Sequence, residues 1–312
     1  MPGILLDFDP LRPAVLPRDA STVVVIRNAD RGVEVFCVQR HARSKFLGGA
    51  VVFPGGKLDA SDAAPIWNEL ATDPHPRAIE LVGDAGDKDA APIASSRTLA
   101  VAVAVAACRE TLEEGAILPV RGGALTDADV TSMSADLRAG RKGLADALAE
   151  RGLKLAIDEL IPWARWITPE AEARRFDARF FLLALPEGQV GRHDEHETTM
   201  SFWAPPQEVL DRFFRGLIFL APPTTRTLEL LASAGDVEGA KAIAARQSLR
   251  SICPRFMAGA EGGAPYLALP GDPSHEVRER RVEGSTRFEL RDGMFLSAKG
   301  FDKGEAEAGG AA

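Results

Sequence analysis

Arg109-Glu110-Thr111-Leu112-Glu113-Glu114 falls within the segment TLAVAVAVAACRETLEEGAIL (98–118), and the period assigned to that segment decides the fold. Alternation of Val101, Val103 and Val105 suits a strand. The length, the alanine content and the charged end suit a helix, so a helix over roughly 98–114 is expected. On a helix Glu110 lies three and four residues from Glu113 and Glu114, so the three carboxylates share one face. Like charges at that spacing cost a helix roughly a few tenths of a kcal/mol per pair. Hard divalent cations such as Mg²⁺ or Mn²⁺ remove that repulsion, because they take oxygen ligands. Arg109, four residues before Glu113, is placed to pair with it and set its orientation. The bland alternative is a solvated, Glu-rich helix end.

Upstream, the apolar run Ala50-Val51-Val52-Phe53 stops at Pro54-Gly55-Gly56, where a strand must end. Two residues without Cβ atoms let backbone come close to a ligand or metal. Earlier still, TVVVIRN (22–28) and VEVFCVQ (33–39) flank Ala29-Asp30-Arg31-Gly32, a hairpin signal. Residues 1–20 read as a Pro-rich arm. Residues 59–97 are dominated by Asp, Ala, Pro and Gly, with a short helical patch at 66–70, and are expected to leave the main fold with few core contacts. Two polar helices are expected over 126–151, strands at 163–167, 179–185 and 200–204, and helices at 205–214, 224–234 and 237–247. STRFELRDGMFLSA reads as a second hairpin turning at Arg291-Asp292-Gly293, and the final GEAEAGGAA as disordered.

The chain has 312 residues, with 37 Lys and Arg against 45 Asp and Glu, a net charge of −8. An acidic surface repels nucleic acid, so a polyanionic substrate must be met by a local basic patch or by cations. Cys37, Cys108 and Cys253 are odd in number and far apart, which disfavours a disulfide framework or a CxxC zinc site. No apolar run reaches the roughly eighteen residues of a membrane span, and MPGILLDFDPLRPAV lacks the basic start of a secretory signal. A cytoplasmic protein with neither membrane nor nucleic-acid partner is expected; homodimerisation is left open.

With these residues in hand, the chain resembles the Nudix hydrolases, whose signature reads G-x5-E-x7-R-E-U-x-E-E-x-G-U, U being aliphatic. Gly56 fits the opening glycine, and Asp62 stands where the family usually has Glu. Arg109, Glu110, Glu113 and Glu114 fit the centre, and Ile117 the closing aliphatic. The sequence departs in three places. Thr111 replaces an aliphatic residue, Gly115-Ala116 inverts the usual x-G, and residues 63–108 stand where the family has seven. Loop-closure entropy grows slowly with length, so a surface loop can absorb such an insertion. The insertion resembles that of the acyl-coenzyme A diphosphatase branch. So do Gln39-Arg40, Arg43-Ser44, the stretch from Gly49 to Gly56, Trp163–Pro169, Arg175–Phe181 and Pro222-Pro223-Thr224.

The resemblance implies an α+β fold, a Nudix α/β/α sandwich with a mixed sheet, over 21–235. An insertion at about 63–97 and a C-terminal extension at 236–312 would be added to it. It implies metal-dependent hydrolysis of a nucleoside diphosphate linked to a second moiety, NDP-X, with coenzyme A or acyl-coenzyme A as the leading substrate. ADP-ribose, a dinucleotide or a nucleotide sugar is the alternative, and a non-catalytic nucleotide sensor is the alternative of another class. Glu110 and Glu114 are then the expected Mg²⁺ or Mn²⁺ ligands. Glu113 is a further ligand or the orienting partner of the catalytic Arg109, and a carbonyl of Gly55 or Gly56 completes the shell. Among Asp194, Glu195 and Glu197, Glu197 is the first choice of general base because it adjoins a strand. His193 and His196 lack a third transition-metal ligand. Arg40, Arg43 and Lys45 are candidates for phosphate, though basic residues near a turn are often only solvated. Trp163, Trp166 and Trp203 either stack on adenine or fill the core.

Overall fold

A computed structural model describes residues 13–44, 47–83, 97–192, 198–259 and 263–298. Two long strands, β1 (Arg18–Ala29) and β2 (Gly32–Arg40), form the expected hairpin, with Ala29 opposite Gly32. The chain continues through β3 (Val51–Val52), β4 (Gly55–Lys57), a 3₁₀ turn (Ala60–Ala63), α1 (Trp67–Leu70), α2 (Ala78–Val82) and the long helix α3 (Arg97–Gly115). Then come β5 (Val120–Arg121), α4 (Asp127–Arg138), α5 (Leu144–Ala149), β6 (Lys154–Leu155), a second 3₁₀ turn (Ile157–Glu159), β7 (Ile161–Ile167), β8 (Phe176–Ala184) and β9 (Thr198–Ala204). Helices α6 (Pro206–Phe214), α7 (Pro222–Leu231) and α8 (Val237–Arg246) lead to β10 (Ser251–Ile252), β11 (Arg255–Met257), β12 (Tyr266–Ala268), β13 (Arg287–Arg291) and β14 (Met294–Ser297).

The main sheet runs β10-β7-β8-β1-β2-β3, with β4 also on β1 and β9 also on β2. It is mixed: β1–β8 and β10–β7 are parallel, and the other pairs antiparallel. Its β-branched strands are buried on both faces, which is why they read as continuous apolar runs. Val23 and Val25 of β1 face the core containing α3, while Val24 and Ile26 face the core containing α6, α7 and α8. The helix assignment for 98–114 holds. α3 is apolar all round and so buried. Its alanines let it approach β1 closely enough for Ser21 Oγ to donate to the Val103 carbonyl at 2.6 Å.

Three boundaries differ from the sequence expectation. β1 begins at Arg18, inside the stretch read as an arm. The excursion adds no strand to the main sheet, yet it is not peripheral. Trp67, Ala71, Ala78, Leu81 and Val82 are buried in the core that also contains α3, α2 packing on α3 and α1 on α5 and β6. The C-terminal extension also joins the main body. Ser251 and Ile252 add a strand beside β7, and the four-stranded sheet β11-β12-β13-β14 packs Leu267, Phe288 and Phe295 into the second core. Its final hairpin turns at Asp292 and Gly293, both at positive φ, as the sequence suggests. No described helix is long and apolar enough to cross a membrane.

Candidate active site

Three local events bring the signature together. β4 pairs with the start of β1, Gly55 opposite Thr22 and Gly56 opposite Ser21, which carries the Gly-Gly pair to the end of α3. A Cβ on Gly55 would lie 2.3 Å from the Ser21 carbonyl oxygen, so the backbone approach there requires glycine, and one on Gly56 would displace the Glu110 carboxylate. The Gly55 N–H donates to Glu114 Oε2 at 3.0 Å, fixing that carboxylate against the strand.

The second event is the 3₁₀ turn after β4. Its Asp62 carboxylate accepts from the Asp59 N–H at 2.8 Å and takes Arg109 in a fork, with Nε and Nη2 each at 2.9 Å. Asp62 is 1% exposed, so the shorter acid standing for Glu is a buried anchor. Arg109 Nη1 also reaches Glu110 at 2.9 Å and Glu113 at 3.0 Å, and Nη2 donates to the Lys57 carbonyl at 2.9 Å. Burial disfavours the charged guanidinium. The Asp62 hydrogen bonds and the charges of Glu110, Asp62 and Glu113 outweigh it and hold Arg109 above its ordinary pKa.

The third event ends α3. Ala116 sits in the left-handed region at φ 49°, and its N–H reaches the Leu112 carbonyl at 3.0 Å, an αL cap. That is the position where the family signature has glycine. Gly115 is small for a different reason: a Cβ there would meet the Phe36 ring at 3.0 Å. Thr111 is fully buried and satisfied by bonding back to the Ala107 carbonyl at 2.7 Å. The inverted pair and the threonine are thus both accommodated.

These residues open on a cleft of about 670 Å³, lined by Gly55, Gly56, Arg109, Glu110, Glu113 and Glu114 at one end. Of the expected phosphate contacts, Arg40 lines the cleft. Arg43 is exposed and outside the lining, and Lys45 lies outside the described residues. His193, Asp194, Glu195, His196 and Glu197 also lie outside them. Of the tryptophans, Trp166 lines the cleft. Trp163 is core, donating to Thr227 Oγ1 at 3.2 Å, and Trp203 packs on Phe36 and under Arg27. Arg138 escaped the sequence reading. It ends α4, which Thr126 caps in a box with Asp129, and its Nη1 donates to the Glu113 carbonyl at 2.8 Å beside the cleft. A capping box was legible there; the docking of α4 on α3 was not.

The donor set suits a hard cation: carboxylate oxygens beside two glycines, with a surplus of negative charge. Among the described residues no three His, Cys, Asp or Glu side chains form a ready cation cage. Mg²⁺ commonly uses one or two carboxylates and completes its shell with water and substrate phosphate. Glu110 and Glu114, with a Gly55 or Gly56 carbonyl, could provide such a half-shell.

Residues 17–231 match the family model described as the NUDT19 Nudix domain. The chain belongs to the Nudix hydrolases. This Nudix chain is 27% identical over 300 residues to "Acyl-coenzyme A diphosphatase NUDT19" of Gallus gallus, covering 84% of this chain and 79% of the relative. It is 26% identical over 276 residues to the Xenopus laevis protein of the same name, covering 79% and 72%. Among solved structures it resembles a NUDIX hydrolase from Alicyclobacillus acidocaldarius with a TM-score of 0.58 and 32% identity, over 72% of this chain and 96% of that one.

Proposed function

We propose that this Nudix enzyme hydrolyses the diphosphate linkage of coenzyme A and its acyl esters, with Mg²⁺ or Mn²⁺. The observation that carries the reading is the cleft end where Glu110, Glu113 and Glu114 converge on the Gly55-Gly56 backbone around Arg109. The names of the vertebrate relatives favour the coenzyme A class over other NDP-X compounds. A divalent ion bound there cancels diphosphate charge and activates water. Glu110 and Glu114 would hold it; Arg109, forked on Asp62, keeps Glu110 and Glu113 oriented; Arg40 and Lys45 would take phosphate oxygens. Arg43, exposed and outside the lining, is the weaker phosphate contact. Glu197 remains the proposed general base, and the cytoplasm the proposed compartment. Incubating the protein with coenzyme A, acyl esters, ADP-ribose, a dinucleotide and a nucleotide sugar, with each ion and with EDTA, tests this. Metal-dependent release of two phosphate-ended halves from coenzyme A compounds is expected. Faster cleavage of ADP-ribose, or none of any compound, would reject it.

A further inference from the structure

The cleft does not stop at the carboxylates. Its lining also takes in Trp166, Phe176 and Phe180, together with Pro254, Leu267 and Phe295. The last three belong to the C-terminal extension, beyond the residues that match the family model. Phe176 and Phe180 lie two register steps apart on β8, hence on one face, with Ala178 between them opposite Trp166 of β7. Leu267 of β12 pairs with Phe288 of β13, which pairs with Ser297 of β14, so this small sheet presents a fixed apolar surface rather than a loop. Leu267 is 3% exposed and Phe295 fully buried, so the lobe has a floor. None of these six side chains carries a charge.

We propose that the C-terminal sheet is the acyl-selecting wall of the cleft: Leu267 and Phe295 close an apolar lobe that takes the hydrocarbon tail of an acyl ester and sets its preferred length. The proposal rests on the reading that the diphosphate is cleaved at the carboxylate end. Thr168, Glu172 and Thr224 share the lining, but a wall built mainly of apolar side chains rewards hydrocarbon and discriminates poorly among polar groups. Each methylene entering it tightens binding by roughly fourfold until the floor is reached.

Titration calorimetry in EDTA, where turnover is suppressed, gives dissociation constants for free coenzyme A, ADP-ribose and the acetyl, hexanoyl, dodecanoyl and palmitoyl esters. Turnover with Mg²⁺ is measured on the same panel. Wild type should bind esters more tightly as the tail lengthens and then level off. Phe295→Leu and Leu267→Ala should move the plateau to longer tails and weaken the ester best bound by wild type by roughly tenfold. Free coenzyme A should bind as before. Phe288→Leu, buried in the same sheet but outside the cleft lining, controls for general loosening and should leave the profile intact. Flat constants across the panel overturn the proposal. So does equal weakening of ADP-ribose, which would place adenine in the lobe, or an equal shift in Phe288→Leu. Length-dependent binding without any turnover would uphold the wall and reject the hydrolytic reading alone.

Discussion

Two charge clusters in this protein use the same residue types to opposite ends. Behind the sheet, Arg165, Asp177, Arg179 and Asp19 sit on β7, β8 and β1, all in register and almost wholly buried. Arg165 forks onto Asp177 at 2.9 and 2.8 Å, and Arg179 bridges Asp177 at 3.2 Å and Asp19. Two arginines meet two aspartates, and the charge closes. At the cleft, Arg109 contacts Asp62, Glu110 and Glu113 within 3.0 Å, with Glu114 beside them. One arginine thus serves three carboxylates at once. A balanced buried cluster is scaffold. The one that lines the cleft is where the proposed divalent cation would sit.

The largest expected effect breaks the unbalanced side. Glu114→Gln keeps an acceptor for the Gly55 N–H but removes a charge from the metal shell, so turnover should fall by about two orders of magnitude or more. Thermal melts should change little without metal and lose any Mg²⁺-induced rise. Wild-type turnover across a Mg²⁺ titration would remove Glu114 from the site.

Asp177→Ala tests the balanced side and should do the reverse. Stranding two buried arginines should cost about 3–5 kcal/mol in urea unfolding, with activity per folded molecule near wild type. Stability unchanged within error would break the contrast.

Ala116→Gly is smaller and of opposite sign. Relief of the left-handed strain, about 1–2 kcal/mol, is partly offset by the flexibility glycine adds to the unfolded chain, roughly 0.5–1 kcal/mol. A net gain of up to about 1 kcal/mol should appear in the denaturation midpoint; a loss would mean the cap is not strained.

The smallest effect lies far from both clusters. Burial lowers the His75 pKa, and the Arg77 charge adds to it, against Asp158 and Glu80. The unfolded chain therefore holds this proton more tightly. The stability contributed by neutral His75 is present above the usual imidazole value of 6.5 and is lost as pH falls through and below it. His75→Gln should flatten the melting temperature between about pH 7 and 5. An unchanged slope would assign that pH dependence elsewhere.

Much of the site was legible because its residues are local. Helical spacing alone put Glu110, Glu113 and Glu114 on one face and Arg109 within reach of Glu113, and the strand end before Pro54 was local, whereas Gly55-Gly56, expected as a loop, pairs with β1 as β4. The hairpin of β1 and β2 and the turn at Asp292-Gly293 were equally local. What composition could not convey is which surface an element covers. The excursion looked polar enough to stand apart, yet five of its side chains are buried in the core that contains α3. Arg138 reaches the Glu113 carbonyl only because α4 docks on α3. Phe295 read as an ordinary hairpin residue and Leu267 was given no role, and only the fold brings both into a cleft whose lining also holds Gly55, far earlier in the chain. Periodicity is set by bonds between near neighbours and is written in the sequence. The joining of distant surfaces is set by which apolar faces find each other, and that is decided only when the whole chain packs.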